Sequence, residues 1–121
     1  MAADIKRQRS AIVIGVGAEQ GLGAGLAERF SREGFRVFIA GQSLDGLVRV
    51  AQNIVEAGGD VVPIVTDATI ERELVSLFDY ADDGGSLEVI AFDAGEGVRY
   101  ASNLSPVQLF EHAWRCSARR R

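Results

Sequence analysis

The sequence has few of the residues that build disulfides and metal centres. It contains one cysteine, Cys116, and one histidine, His112, so an internal disulfide is excluded and no histidine and cysteine cluster has metal-ligand spacing. No apolar run is long enough to span a membrane, and the first ten residues lack the pattern of a signal peptide. The net charge of -4 disfavours nucleic acid. We therefore expect a cytoplasmic chain that binds neither nucleic acid nor a membrane.

The most distinctive stretch is a glycine-rich turn that follows an apolar segment. Ala11–Ile14 is predicted to be a buried strand, and the helix after the turn carries Leu22, Leu26 and Phe30 on one stripe. Glycines let the backbone approach a ligand, and free N–H groups at the start of a helix favour an anion. A dinucleotide pyrophosphate is the expected occupant, although such turns also arise for packing alone. The glycines are spaced as Gly17-Ala-Glu-Gln-Gly21-Leu-Gly23.

Three further strands are predicted at 36–41, 61–65 and 87–92. Pro63 favours a sheet edge for the third strand, because proline cannot donate to the ladder. Strands that alternate with helices imply a parallel sheet that is covered on both faces. In a doubly wound order the fourth strand lies beside the first, so their carboxyl ends form the crevice where a ligand binds.

The helices are predicted from their caps and their apolar periodicity. Ser43 and Thr69 are expected to cap the second and third helices, and Ser105 to open a fourth. Gly34 and the glycines at 58–59 are expected to end the first two helices. The predicted apolar faces of the second and third helices comprise Leu44, Leu47, Val48, Ala51, Ile54 and Val55, and Leu74, Leu77, Phe78 and Ala81.

The G-x-x-x-G-x-G spacing resembles the cofactor loop of the short-chain dehydrogenase/reductase family, with Val16 where the family usually has threonine. Asp67-Ala68 resembles the family's Asp-Val pair beside the adenine, and Asp93-Ala94-Gly95 is similar to its Asn-Ala-Gly beneath the cofactor. The resemblance runs from residue 11 to about residue 115. It implies a Rossmann-like, doubly wound parallel α/β sheet, truncated to about four strands, with helices on both faces.

The resemblance implies that NAD or NADP is the cofactor. In the family, an acidic residue after the second strand bonds the ribose hydroxyls of NAD, and an arginine binds the 2′-phosphate of NADP. Gln42 and Ser43 stand there instead, so NADP is slightly favoured, although roles as turn and cap residues are about as well supported. The implied cofactor-binding residues are Gly17, Gln20, Gly21, Leu22, Gly23, Gln42, Ser43, Asp67, Ala68, Asp93, Ala94 and Gly95.

The family's catalytic Tyr-x-x-x-Lys pair is missing from these residues. Lys6 is the only lysine, and neither Tyr80 nor Tyr100 has a lysine four residues later. We therefore expect residues 1–121 to be one truncated NAD(P)-binding domain of an oxidoreductase, inactive on its own, with residues 1–10 as a flexible N-terminus. The alternative is a non-catalytic dinucleotide-binding or protein-interaction module.

An assembly is expected from the predicted sheet. A domain of four strands leaves the fourth strand as an edge, where apolar side chains meet water. Each large side chain left exposed forgoes about 1.5–3 kcal/mol, out of a total stability of roughly 5–15 kcal/mol. We therefore expect a homo-oligomer that forms through this edge or through the fourth helix.

Overall fold

The computed structural model describes residues 8–17, 21–83, 85–93 and 98–101. Its strands are β1 (Gln8–Ile14), β2 (Arg36–Gly41), β3 (Asp60–Val65), β4 (Gly85–Asp93) and β5 (Val98–Ala101). Its helices are α1 (Leu22–Arg32), α2 (Leu44–Glu56) and α3 (Glu71–Asp82). The predicted fourth helix lies outside the described residues.

The strands form one sheet in the order β3-β2-β1-β4-β5, and β1 to β4 are parallel. β1 lies in the middle, where Ile12 is paired with Phe38 of β2 and with Ile90 of β4. This arrangement confirms the predicted doubly wound α/β fold. β3 has a described neighbour on one side only, which confirms the edge position predicted from Pro63.

The fifth strand was not predicted. β5 runs antiparallel to β4 and pairs Ala101 with Ile90 and Val98 with Asp93. The expectation that β4 is a bare edge is therefore wrong for its carboxyl half. Its amino half, Gly85–Val89, pairs only with β1 among the described residues.

Two apolar layers cover the two faces of the sheet, because successive residues of a strand point to opposite sides. On one face α3 packs against Ile12, Ile14 and Phe38. On the other face α1 and α2 pack against Val13 and Ile39. Helices on both faces are thus confirmed. The buried helical residues of the two layers are Leu74, Leu77, Phe78 and Ala81, and Ala24, Ala27, Leu47, Val50 and Ile54.

The buried face of α3 is the predicted one, whereas the buried faces of α1 and α2 match the prediction only in part. Leu22, which we expected on the apolar stripe of α1, is 57% exposed, whereas Gly23, Ala24 and Ala27 are buried. Leu26 and Phe30 of the same stripe are partly buried against this layer, so the predicted stripe is confirmed in part. The small residues are fully buried because they let α1 lie close to the sheet. In α2, buried Val50 was missed, and the predicted core positions Leu44 and Val55 are exposed.

The ends of the elements agree in part with the predicted signals. Gly34 and Gly58 follow α1 and α2 with positive φ angles of 97° and 88°, which confirms both as helix ends. The Ser43 hydroxyl accepts a hydrogen bond from the Gly46 N–H, as expected of a cap. The predicted cap at Thr69 is wrong, because α3 starts after Ile70, whose side chain cannot accept a hydrogen bond.

The start of the chain also differs from its prediction. Gln8–Ser10 belong to β1, although residues 1–10 were expected to be flexible. The Arg9 guanidinium lies 4.2 Å from the centre of the Phe35 ring and donates to the Glu33 carbonyl oxygen at 2.9 Å. These contacts tie the start of β1 to the turn between α1 and β2. Among the described helices, none combines the length and the apolar character needed to cross a membrane.

Candidate functional site

The carboxyl ends of the parallel strands bring the predicted binding residues to one edge of the sheet. Ile14, the last residue of β1, is paired with both Ala40 and Phe92, and Gly41 at the end of β2 is paired with Val65. The segments that follow β1, β2 and β3 therefore start at the same level. The predicted residues Gly17, Gln42, Ser43, Asp67 and Asp93 all lie at this edge.

The turn after β1 folds over the end of β2. Gly15 has a φ angle of 96°, which favours glycine, and the N–H groups of Gly15 and Val16 donate to the Ala40 carbonyl oxygen at 2.8 and 3.0 Å. Val16 is buried against the end of β2. A Cβ at Gly41 would overlap the Val16 carbonyl oxygen and lie 3.1 Å from its carbonyl carbon. Because Gly41 has no side chain, the turn after β1 can lie directly against the end of β2.

Gly17 lies between a packed side and an open side. The start of α2 packs on its carbonyl group, so that a Cβ at Gly46 would overlap the Gly17 oxygen and lie 3.2 Å from the Gly17 carbonyl carbon. A Cβ on Gly17 itself would have no described neighbour within 4 Å, and its φ angle is not positive. Within the described part of the chain, neither packing nor the backbone conformation therefore explains a glycine here. An open side at Gly17 fits a bound group that comes into contact with the backbone.

The start of α1 supplies backbone donors beside this turn. Gly21 is the N-cap residue, no side chain among the described residues caps the helix there, and the first turn of α1 has no acidic residue. A helix start of this kind favours an anion such as a phosphate. Gly23 is buried and brings α1 close to the sheet, while Leu22 is largely exposed. Gln20 lies outside the described residues.

Two polar side chains follow β2, the amide of Gln42 and the hydroxyl of Ser43. Gln42 and Ser43 are both exposed. The Ser43 hydroxyl accepts from the Gly46 N–H at 3.2 Å, so it caps α2 at the point where α2 packs on Gly17. Gln42 is therefore the polar side chain here that has no capping task.

The segment after β3 is held by hydrogen bonds around Asp67. Asp67 Oδ1 accepts from the Thr69 N–H at 2.9 Å and from the Thr69 hydroxyl at 2.6 Å. The Asp67 N–H donates to Glu73 Oε1 at 2.8 Å, and the Asp67 carbonyl oxygen accepts from the Ile70 N–H at 3.0 Å. Ala68 is half-buried against the layer under α3. The Asp67 backbone is therefore fixed by the first turn of α3.

Glu73 was not among the predicted site residues. Its sequence signal is its place in the third position of α3, where a glutamate often reaches back to the chain before the helix.

The last predicted segment follows β4. The backbone of Asp93 ends β4 opposite Val98, and its side chain lies outside what the structure describes, as do Ala94 and Gly95. Within the described part of the chain, no group of three or more histidine, cysteine, aspartate or glutamate residues is placed to hold a metal ion.

The comparisons with known proteins agree with this architecture. The model of the short chain dehydrogenase family matches residues 11–116. Dehydrogenase/reductase SDR family member 1 of Mus musculus is 34% identical over 113 residues, which are 92% of this chain and 35% of the relative. Its Homo sapiens counterpart is 37% identical over 94 residues, which are 76% of this chain and 30% of that relative. The chain therefore spans about a third of the length of these relatives.

Solved structures show the same fold. A short-chain dehydrogenase from Rhodopseudomonas palustris is 28% identical, with a TM-score of 0.69 over 93% of this chain and 57% of that one. A variant of actinorhodin polyketide ketoreductase, solved with NADPH, is 27% identical, with a TM-score of 0.62 over 70% of this chain and 32% of that one. With the family match over nearly the whole sequence, these findings show that the chain belongs to the short-chain dehydrogenase family.

Proposed function

We propose that this chain is the NAD(P)-binding portion of a short-chain dehydrogenase/reductase-like oxidoreductase. The observation that carries the proposal is the open side of Gly17, a glycine that neither its φ angle nor its packing against the described residues requires. The relative solved with NADPH supports a nicotinamide dinucleotide as the ligand. When bound, the dinucleotide supplies or accepts the hydride through its nicotinamide ring.

The proposed contacts follow the edge of the sheet. Gly17 and the start of α1 at 21–23 would hold the pyrophosphate, because a close backbone and uncapped N–H groups suit an anion. Gln42 and Ser43 would meet the adenosine ribose. Asp67, with Ala68 beside it, would accept from the exocyclic amine of adenine. Asp93 and residues 94–95 would pass beneath the cofactor.

The part of the function proposed for these residues is cofactor binding. The 121 residues, which span about a third of the length of the curated relatives, contain no Tyr-x-x-x-Lys pair, so no catalytic step is proposed for them. Oxidation or reduction of a substrate is proposed only for a protein in which these residues are joined to a segment that contains such a pair. A single cofactor-binding domain, a cytoplasmic location and a homo-oligomer remain proposals from the sequence.

Direct titration tests the proposal. We expect the purified chain to bind NADPH or NADH saturably, as measured by fluorescence of the reduced nicotinamide, and the oxidised dinucleotide to compete. Because a ligand that binds only the folded state stabilises it, Tm should rise with ligand concentration. A chain that is folded by circular dichroism and shows neither signal would contradict cofactor binding and would direct the search to protein partners.

The slight preference for NADP is tested at Gln42. Gln42→Asp places a carboxylate at an exposed position near the proposed 2′-phosphate, and repulsion should lower the NADPH-to-NADH affinity ratio by about tenfold. Gln42→Asn is the matched control, since it has the same length as aspartate without the charge, and it should keep most of the ratio. Equal ratios in the two variants would show that residue 42 does not face the ribose.

A further inference from the structure

The Asp67 backbone is held from α3 through one side chain. Glu73, in the third position of α3, accepts from the Asp67 N–H at 2.8 Å, although the two residues are six positions apart. The bond is partly buried, so water competes with it less than at the surface. Glu73 therefore joins α3 to Asp67, the second residue after β3.

This arrangement differs from the usual start of a helix. In a capping box the third helical residue bonds the N–H of the N-cap residue. Here the N-cap residue is Ile70, whose N–H donates to the Asp67 carbonyl oxygen at 3.0 Å, so Glu73 extends to Asp67 instead. Thr69 completes the arrangement through its two bonds to Asp67 Oδ1. The N–H, the carbonyl and one carboxylate oxygen of Asp67 are thereby all tied to the start of α3.

We propose that Glu73 is a positioning residue for adenine recognition, which rests on the proposed function of Asp67 as the acceptor of the adenine amine. The Asp67 carboxylate can meet that amine only if its backbone is fixed, and Glu73 fixes the N–H of the same residue. When this bond is lost, Thr69 still holds Asp67 Oδ1, but the Asp67 backbone can shift. The carboxylate then moves out of line with the amine, and the site no longer distinguishes an amine on the purine. The rest of the dinucleotide is held by other segments and still binds.

The first test measures that distinction directly. The probes are the reduced dinucleotide that binds the wild-type chain and its hypoxanthine counterpart, which has a carbonyl oxygen in place of the amine. We expect the wild-type chain to prefer the adenine form by about tenfold, since one hydrogen bond to a charged group is at stake. Glu73→Ala should reduce this ratio to near one. Glu71→Ala is the matched control, because it removes the same charge from the same turn at an exposed position, and it should keep the ratio.

Two conservative variants distinguish the effect of side-chain length at residue 73 from the effect of its charge. They also keep the test valid if Glu73→Ala fails to fold. Glu73→Gln keeps an acceptor oxygen at the same distance and should retain most of the ratio. Glu73→Asp keeps the charge but is one methylene too short, and it should lose the ratio. A purely structural role for Glu73 would change Tm without this difference in ratio.

The outcomes distinguish this inference from the function on which it rests. If a folded wild-type chain binds neither probe, cofactor binding fails and the inference is overturned with it. If both probes bind the wild-type chain equally, Asp67 does not recognise the amine, and the role of Glu73 is overturned while cofactor binding stands. If the wild-type ratio is tenfold and Glu73→Asp keeps it, Glu73 alone is overturned.

Discussion

Gly41→Ala is expected to lower Tm by about 10 °C and to remove dinucleotide binding. A Cβ at this position overlaps the carbonyl oxygen of Val16, and the obstacle is backbone and not a flexible side chain. The turn cannot move away easily, because the N–H groups of Gly15 and Val16 are bound to the Ala40 carbonyl oxygen. Overpacking of this kind costs about 1–3 kcal/mol, and the upper end applies where backbone must shift. Thermal unfolding followed by circular dichroism measures the effect.

The control for Gly41→Ala is a glycine with room around it. A Cβ on Gly25, which is exposed within α1, has no described neighbour within 4 Å. Alanine is the better helix former by roughly 0.5–1 kcal/mol, so Gly25→Ala should raise Tm slightly and leave binding unchanged. If the two variants unfold at the same temperature, the end of β2 does not constrain the turn as the structure indicates.

The strand order could be predicted because several independent signals agree. Short apolar runs separated by helical periodicity leave a parallel sheet as the consistent arrangement, and Pro63 adds which strand is outermost. The Thr66 N–H donates to the Gly41 carbonyl oxygen at 2.8 Å, and residues of a parallel strand alternate in direction. The backbone nitrogen of Pro63, which carries no hydrogen, therefore faces away from β2. A proline at this position leaves the ladder of the sheet complete.

Periodicity alone predicted the buried face of α3, but it predicted the buried face of α1 only in part. Leu22, Leu26 and Phe30 have helical spacing, but so do Ala24 and Ala27. The two alanines are fully buried, whereas Leu26 and Phe30 are partly buried against the core and Leu22 is exposed. Which stripe turns inward depends on how closely α1 approaches the sheet, and that distance is a property of the packed fold. Hydrophobicity favours the large residues, whereas close packing selects the small ones.

The unpredicted strand β5 illustrates a second limit. The strand has four residues, Val98–Ala101, and one of them is an arginine. Two glycines, Gly95 and Gly97, come shortly before it in the sequence. So short a run is below what alternation can identify, and its pairing with β4 depends on how the chain turns after Asp93. The predicted exposed edge of β4 is therefore too long, because β5 pairs with its carboxyl half.

The candidate site was located by the resemblance, and its supporting contacts come from the structure. Gly-rich spacing points to the turn after β1, but it does not show that Gly46 of α2 packs on the Gly17 carbonyl group. Likewise, a glutamate in the first turn of a helix indicates a favourable dipole interaction or a bond to the N-cap N–H, but not a bond to Asp67. The bond from Asp67 to Glu73 spans two elements, and such contacts follow from the fold and not from spacing.

Gly17→Ala is expected to separate binding from stability. The added methyl group has no described neighbour within 4 Å, and the φ angle of Gly17 is accessible to alanine, so Tm should stay the same or rise slightly. A pyrophosphate in contact with the backbone would meet that methyl group. Affinity for the reduced dinucleotide should then fall on the order of a hundredfold, as measured by nicotinamide fluorescence.

Opposite signs for binding and stability are what make this variant decisive. Alanine at a glycine that packing requires, such as Gly41, lowers both the stability of the fold and the affinity for the ligand. Alanine at a glycine that only the ligand requires lowers the affinity alone. Gly25→Ala again serves as the control, since it adds the same methyl group to an open position on the exposed side of α1. Unchanged affinity in Gly17→Ala would mean that the open side of the turn is not where the dinucleotide lies.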